Sequence, residues 1–271
     1  MPARDGLRGM MFCVADDSVV FDRAAGYYDR TRGLPPSTAA AQTRLLAGAL
    51  AGTAAPLLEV GVGTGRIAVP LAEAGFRVVG VDLSAPMLAV LASKKSRVIA
   101  LRGSALQLPV ADSAAGAVIC CHVLHLIPDW AAAVAEARRA LRPGGLLLAA
   151  RGGRPTGIGA EIQRQIELAA GIEPGRGAVG LDDLSVLDEY LSARGAQVRH
   201  LPEIDSGATW PASDYLKAAG RNTYSWTWPI EESRLARAID QARDWLTRTK
   251  GDPAEVRMTA APIRWHAYRF S

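Results

Sequence analysis

One acidic residue and three glycines at alternate positions form the strongest chemical pattern in the sequence. Glu59, Gly61, Gly63 and Gly65 follow an apolar run that starts at Leu57, and a helix-like segment comes next. Because glycine has no β-carbon, the backbone there can approach a ligand closely and take positive φ angles. The N-terminus of the next helix leaves N–H groups free for a polar or anionic group. The segment predicts a ligand-binding turn, although a glycine-rich turn alone is a weak signal.

A carboxylate, Asp82, ends the next strand-like run, residues 78–82. A carboxylate about 20 residues beyond a glycine turn suits the two hydroxyls of a ribose. A nicotinamide dinucleotide site would need the spacing Gly-x-Gly-x-x-Gly. Counted from Gly61, the third glycine falls on Arg66, so a nicotinamide oxidoreductase is the weakest interpretation.

The elements that must position these residues alternate between strand and helix. Apolar runs predict strands at residues 57–62, 78–82, 98–101, 117–121 and 146–150. Helical patterns cover residues 37–50, 66–74, 84–93 and 129–141. This alternation predicts βαβ units and a buried parallel sheet. In the less regular second half we predict helices at 160–170, 181–194, 213–219 and 231–249, and strands at 197–201 and 263–270.

Composition excludes several classes of protein. The net charge of the 271 residues is +4, but basic residues are scattered among acids, which argues against a nucleic-acid partner. No run of about 20 apolar residues predicts a membrane span. The cysteines, Cys13, Cys120 and Cys121, have neither zinc-site spacing nor a pairing pattern, so we predict no metal site and a cytoplasmic location.

Several stretches, in order between residues 20 and 150, resemble the class I S-adenosylmethionine-dependent methyltransferases. They are residues 21–29, 59–65, 82–84, 103–109, 124–129 and 141–145. The N-terminal stretch is similar to that of the small-molecule branch, near the ubiquinone/menaquinone type. The resemblance implies a Rossmann-like, doubly wound α/β fold whose seven-stranded sheet has the order 3-2-1-4-5-7-6, with the last strand antiparallel and helical cap insertions.

The resemblance also implies S-adenosylmethionine as cofactor, with the acid of the first motif at Glu59. Further implied contacts are Gly61, Gly63 and Gly65 with the methionine part, Asp82 with the ribose, Leu83, Ser104 and Ala105 with the adenine, Cys121 and His122 near the sulfonium, and Tyr28 and Arg32 as a cover. Position 104 departs from the family pattern, which is usually acidic there. The Ser104 hydroxyl can still accept a hydrogen bond, but without charge assistance.

Methyl transfer to a nucleophile is an in-line displacement, and a base is needed only if the acceptor arrives protonated. His122 and His125 flank the end of the fourth strand, where ligands bind in open α/β sheets, so they are the candidate catalytic residues. A turn histidine bonded to backbone is the alternative for each. Tyr224, Trp226 and Trp228 combine apolar area with polar atoms and are candidate substrate contacts, or anchors of an insertion.

We predict one methyltransferase domain over residues 1–271, with an N-terminal cap at 1–50 and a cofactor-binding core at 55–151. Insertions at 152–180 and 206–262 are predicted to form a lid over the acceptor. The predicted function is methyl transfer to an O, N or C nucleophile of a small molecule. The alternatives are a methyltransferase acting on RNA or protein, or a non-catalytic S-adenosylmethionine-binding regulatory protein. The oligomeric state stays open, with a homodimer as one option.

Overall fold

The computed structural model describes residues 16–53, 56–151, 155–175 and 179–270. Cys13, the first fifteen residues of the predicted N-terminal cap, position 55 of the predicted core and six positions of the first predicted insertion lie outside these ranges. The helices of the described part are α1 Tyr28–Arg32, α2 Pro36–Ala49, α3 Ala68–Glu73, α4 Ala85–Ser93, α5 Trp130–Ala140, α6 Ile158–Ala169, α7 Leu184–Ser192, α8 Ala212–Gly220 and α9 Glu232–Thr249. The strands are β1 Leu57–Val60, β2 Val78–Asp82, β3 Ile99–Arg102, β4 Ala115–Cys121, β5 Leu141–Ala150, β6 Gln197–His200, β7 Thr209–Pro211, β8 Arg257–Thr259 and β9 Trp265–Arg269.

Seven strands of the described ranges form one sheet in the order β3-β2-β1-β4-β5-β9-β6. The first five pair in parallel, and β9 lies antiparallel between β5 and β6. Since β9 is the seventh strand of this sheet along the chain, the predicted order 3-2-1-4-5-7-6 is confirmed. The parallel strands β1 and β4 are buried along nearly their whole length, as expected when helices cover both faces of a sheet.

Alternate residues of the strands feed two separate cores on the two faces of the sheet. Leu58 of β1 and Tyr268 of β9 belong to the core under α5 and α7. Their neighbours Leu57 and Ala267 belong to the core on the opposite face. This arrangement follows from the two-residue period of a strand and leaves the carboxyl edge of the sheet open for a ligand.

Some predicted boundaries shift for local reasons. β1 ends at Val60 because Gly61 takes a φ of 72°, which leaves the extended conformation. β5 begins at Leu141 rather than at position 146, because Leu141 already pairs with Ala115 on the far side of an irregularity. Both shifts extend or trim an element without changing the order of the sheet.

The two predicted insertions pack against each other. α6 comes from the first, and α8, α9, β7 and β8 come from the second; we call these five elements the helical cap. Ile162, Ile166, Leu216, Leu235 and Leu246 are almost fully buried in its common core. The short antiparallel pair β7–β8 was not predicted from the sequence. Across the described ranges, no helix has both the length and the apolarity that a bilayer crossing requires.

Candidate functional site

The glycine turn after β1 is held in a conformation that suits glycine at three positions. The φ angles of Gly61, Gly63 and Gly65 are 72°, 53° and 84°. A β-carbon at Gly61 would lie 2.5 Å from the side chain of Val123, and one at Gly65 would lie 2.5 Å from Leu91. A β-carbon at Gly63 would meet no protein atom within 4 Å, because this residue faces open space. Gly61 and Gly65 therefore allow close packing, whereas Gly63 forms the floor of a cavity.

The Asp82 carboxylate joins the end of β2 to this turn. One of its oxygens accepts the N–H of Gly63 at 2.7 Å, and the other accepts the N–H of Ser84 at 2.8 Å. Burial raises the pKa of Asp82 above its usual value, and these backbone donors partly oppose that shift. The carboxylate is thereby fixed at the edge of the sheet, with lone pairs left for donors such as ribose hydroxyls.

A first cavity, which we call the glycine-turn cavity, extends from the turn along the ends of β1, β2 and β4. The residues that line it include Ser18, Val19, Phe21, Tyr28, Gly61, Gly63, Asp82, Leu83, Met87, Gly103, Ala105, Cys121, His122, Leu126 and Ile127. The N-terminal segment 18–21 closes one side, and the N–H of Val19 donates to the carbonyl of Leu126 at 2.9 Å. The predicted contact residues Asp82, Leu83 and Ala105 meet here. Ser104 lies beside this wall, where its hydroxyl donates to Asp16 and accepts the N–H of Leu106.

A second cavity, the aromatic cavity, encloses about 320 Å³ between the turn and the helical cap. Trp210, Tyr215, Tyr224, Met258 and Ile263 supply its apolar wall. Its polar residues include Arg32, Gln42, Glu59, Thr64 and Arg66. A space of this size with a mainly apolar lining and a few polar groups fits a small organic ligand.

Glu59 places a buried carboxylate on the wall of the aromatic cavity. Its side chain is 2% exposed, and its Oε2 atom has no hydrogen-bond partner among the described residues. Burial raises the pKa of Glu59 well above the usual carboxyl value, while a hydrogen bond from the backbone of Ala68 opposes the shift. An unpartnered buried carboxylate oxygen is costly unless a ligand supplies a donor. The ammonium group of an amino-acid moiety fits this requirement.

The two cavities meet at a small set of shared residues. Tyr28, Gly61, Gly63, Cys121 and His122 line both of them. His122 has a φ of 54°, an unusual conformation for a residue with a β-carbon, and its N–H donates to the carbonyl of Ala150 at 3.0 Å. Such strained backbone is concentrated at functional sites in proteins. The junction therefore brings an imidazole and a phenol to the boundary between the two spaces.

His125 is placed differently from His122. It lies in the short 3-10 helix Leu124–Leu126, and its carbonyl accepts the N–H of Gly180 at 3.1 Å. Among the described residues it lines neither cavity. The structure therefore places His122 at the junction of the two cavities and His125 outside the linings of both.

The predicted aromatic substrate contacts also separate. Tyr224 lines the aromatic cavity, whereas Trp226 and Trp228 line neither cavity. Trp226 stacks on Tyr224 with ring centroids 6.3 Å apart, and Trp228 packs on Phe21 at 4.8 Å. The two tryptophans thus contact residues that line the cavities.

Sequence reasoning missed several cavity residues. Val19 and Phe21 reach the glycine-turn cavity from the N-terminal segment, and Met258 reaches the aromatic cavity from β8. Gly65 and Ser104, which the resemblance assigned to cofactor contact, lie outside both linings. The concentration of tryptophans after residue 200 was a signal for the aromatic wall but did not identify which aromatic side chains form it.

Comparison with known proteins places the core of the chain in a family. Residues 58–149 match a family model described as a methyltransferase domain. An uncharacterized methyltransferase of Mycobacterium tuberculosis is 36% identical over 132 residues, which cover 49% of this chain and 51% of that protein. A demethylmenaquinone methyltransferase of Renibacterium salmoninarum is 33% identical over 143 residues, which cover 51% of this chain and 60% of the relative. The chain thus spans about half the length of the curated relatives it matches.

The fold is shared with solved structures. The crystal structure of a putative methyltransferase from Bacillus halodurans aligns over 84% of this chain and 98% of its own, with a TM-score of 0.56 at 20% identity. That likeness concerns the fold, while the family model and the relatives concern the sequence of the core. Residues 58–149 thus match the methyltransferase domain, and the order of the sheet is that of the fold which the class I S-adenosylmethionine-dependent methyltransferases share.

Proposed function

We propose that the protein transfers a methyl group from S-adenosylmethionine to a small-molecule acceptor held in the aromatic cavity. The observation that carries this proposal is the junction of the two cavities at Tyr28, Gly63 and His122. A nucleoside-binding space and an apolar space that share a wall allow two reactants to be held in line. Holding reactants in this way removes several kcal/mol of the barrier to a displacement.

The cofactor residues follow from the site. Asp82 would hold the ribose hydroxyls, Leu83 and Ala105 would flank the adenine, and Gly61 and Gly63 would leave room for the methionine part. Glu59 would accept the ammonium group through its unpartnered Oε2 atom. When bound, S-adenosylmethionine supplies an electrophilic methyl group on a sulfonium centre.

His122 is the group best placed to handle a proton of the acceptor. It stands at the junction, and a histidine can take a proton near neutral pH. Tyr28 also lies at the junction, but burial raises the pKa of its phenol, so it acts there as a neutral hydrogen-bonding group. In this mechanism His122 removes a proton from an O–H or N–H acceptor, and an acceptor that arrives unprotonated needs no base.

The helical cap would form the acceptor lid together with α1. Arg32 of α1 lies over the ring of Tyr224 at 4.7 Å and donates to the carbonyl of Thr223 at 3.3 Å. Arg32 and Tyr224 both line the aromatic cavity, so these contacts join α1 to the helical cap at its wall. The lining favours a small acceptor with an apolar or aromatic body, in line with the demethylmenaquinone named in one relative.

The size and lining of the aromatic cavity favour a small molecule over the alternatives. An RNA or a protein acceptor would need an open groove beside His122, whereas Tyr215, Tyr224 and Met258 line the same cavity as His122. A non-catalytic S-adenosylmethionine-binding protein would need no second cavity at the junction.

The test is a screen of metabolite fractions with methyl-labelled S-adenosylmethionine and the purified chain. A small molecule that gains one labelled methyl group in an enzyme-dependent manner supports the proposal. Label transfer to RNA or protein fractions alone would mean that the acceptor is a macromolecule. Tight cofactor binding without any transfer would favour the regulatory alternative. Calorimetry with S-adenosylhomocysteine reports the cofactor separately from the acceptor.

A further inference from the structure

A second cluster of titratable side chains lies at the far edge of the sheet. His200 of β6 and His266 of β9 are directly opposite each other in the antiparallel register. Their rings stack with centroids 4.1 Å apart, and both face Asp188 of α7. Three separate elements thus bring two imidazoles and a carboxylate together, although the residues are widely spaced in the sequence. For this reason the spacing rules that predicted no metal site could not detect it.

The cluster is organised around the carboxylate. One oxygen of Asp188 lies 2.9 Å from Nε2 of His200, and the other lies 2.9 Å from Nδ1 of His266. Tyr268 donates its hydroxyl to the second oxygen at 2.8 Å. Burial opposes ionisation of Asp188, but the hydrogen bonds from His266, Tyr268 and His200 prevail and hold its pKa below the usual value.

We propose that Asp188, His200 and His266 form a binding site for a divalent transition-metal ion of the zinc type. One ligand atom from each residue is available, and these atoms all lie within 4.8 Å of one another. Bonds of about 2.0–2.2 Å in a tetrahedral zinc site place neighbouring ligand atoms about 3.3–3.6 Å apart. The two His–Asp contacts of 2.9 Å are shorter than this spacing, so the side chains have to move apart when the ion enters.

Metal binding requires the protons of the cluster to be rearranged. An imidazole nitrogen that donates its N–H to Asp188 has no lone pair to offer while it does so. Metal binding needs a lone pair on that nitrogen, so the proton moves to the other nitrogen of the same ring by exchange with water. Two neutral imidazoles and one carboxylate then leave the bound ion with a single net positive charge.

The three ligand residues differ in their exposure to solvent. The His200 side chain is 63% exposed and provides a way in for the ion, while those of His266 and Asp188 are 12% and 18% exposed. The open side leaves room for water at the remaining coordination position. The buried Tyr268 hydroxyl can keep its hydrogen bond to the carboxylate, and outer partners of this kind orient metal ligands.

A hydrogen-bonded cluster that never binds metal is the competing explanation, and calorimetry separates the two. Zn²⁺ is titrated into the full chain, from which any affinity tag has been removed. We expect one site with a dissociation constant of about 10 µM or tighter. His200→Ala and Asp188→Asn should each weaken binding at least about tenfold. Cys121→Ser is the matched control. It alters the group of Cys and His side chains near the end of β4, which is not part of the proposed site, and should bind Zn²⁺ as the wild type does.

A spectroscopic measurement guards against a folding artefact. The chain has four histidines, so imidazole NMR signals can be assigned individually. Zn²⁺ should shift the ring signals of His200 and His266 and leave those of His122 and His125 in place. Absence of saturable binding, binding unchanged in His200→Ala, or shifts confined to His122 would each overturn the proposal. The test does not depend on methyltransferase activity.

Discussion

The hydroxyl of Ser104 donates a hydrogen bond to the carboxylate of Asp16, which joins the loop after β3 to the N-terminal segment. The second oxygen of Asp16 accepts the N–H of Ser18 at 3.1 Å. Although burial opposes it, these hydrogen bonds hold the pKa of Asp16 below its usual value. The chain therefore places a negative charge next to the neutral residue at position 104, where the family resemblance leads one to expect an acid.

This relationship predicts that Asp16 contributes to cofactor affinity. We expect Asp16→Asn to weaken S-adenosylhomocysteine binding about tenfold, because a charge-assisted hydrogen bond contributes about 1.5–3 kcal/mol. Calorimetry measures the effect. Asp17→Asn, at the exposed neighbouring position, is the control and should bind normally. Equal affinities for the two variants would mean that the charge of Asp16 does not act on the cofactor.

Asp82 should contribute more to cofactor affinity than Asp16 does. Asp82→Ala removes an acceptor for the ribose hydroxyls and for the N–H groups of Gly63 and Ser84. We expect a loss of S-adenosylhomocysteine affinity of at least about tenfold. Thermal melting in the absence of ligand separates the structural part of the effect, and the exposed Glu73→Ala serves as control. Unchanged affinity in a folded Asp82→Ala variant would mean that this carboxylate does not bind the ribose.

Gly63 offers a test of the cavity floor with a closely matched control. Gly63→Ala and Gly75→Ala each put a β-carbon on a residue with positive φ, and neither β-carbon meets a protein atom within 4 Å. Both variants should lose about 1 kcal/mol of stability from backbone strain. Gly63→Ala alone should lose cofactor affinity, since Gly63 lines both cavities. If the two variants bind S-adenosylhomocysteine equally well, the cofactor does not approach Gly63.

Glu59 should make stability depend on pH in a recognisable direction. Burial raises its pKa in the folded state above the unfolded value, so the folded protein holds this proton to higher pH. The associated stability is fully present below the ordinary pKa of 4.5 and is lost as the pH rises through the folded-state pKa. Glu59→Gln cannot ionise and keeps this stability. Its melting temperature relative to wild type should therefore increase as the pH is raised from 4.5.

The control for Glu59 is Glu73→Gln, which makes the same replacement at an exposed position. Saturating S-adenosylhomocysteine should reduce the advantage of Glu59→Gln, because its ammonium group favours the ionised carboxylate. An advantage of Glu59→Gln that shrinks as the pH rises would contradict a raised pKa of Glu59 in the folded state.

Tyr224 and Trp228 should differ in the ligand they affect. Tyr224→Leu alters the wall of the aromatic cavity and should raise the KM for the acceptor with little change in cofactor affinity. Trp228→Ala removes the partner of Phe21, which lines the glycine-turn cavity, so it should weaken S-adenosylhomocysteine binding and cost at least about 0.5–1.5 kcal/mol of stability. Steady-state kinetics and melting curves measure both. If Trp228→Ala instead raised the KM for the acceptor and left S-adenosylhomocysteine binding unchanged, Trp228 would belong to the acceptor pocket.

The sequence was sufficient for the strands of the sheet and for the position of the glycine turn beside Asp82, because their signals are local. Continuous apolar runs predicted the parallel strands, and the glycines with Asp82 predicted the nucleoside side. The strands β7 and β8 were missed because each has three residues and their pairing joins distant parts of the chain. The hydrogen bond between Asp16 and Ser104 and the cluster around Asp188 were missed for the same reason, since only the folded chain brings these residues together.

The position of β9 in the sheet also sets an order for folding. β9 fills the place between β5 and β6, and β6 has no other strand partner in the described part of the chain. During synthesis, β5 keeps an unpaired edge and β6 stays outside the sheet until β9 has left the ribosome. Likewise α6 cannot bury its apolar face against α9 before that helix has been made. The cofactor-binding half can therefore assemble early, while these segments remain open to aggregation or to chaperones for the rest of translation.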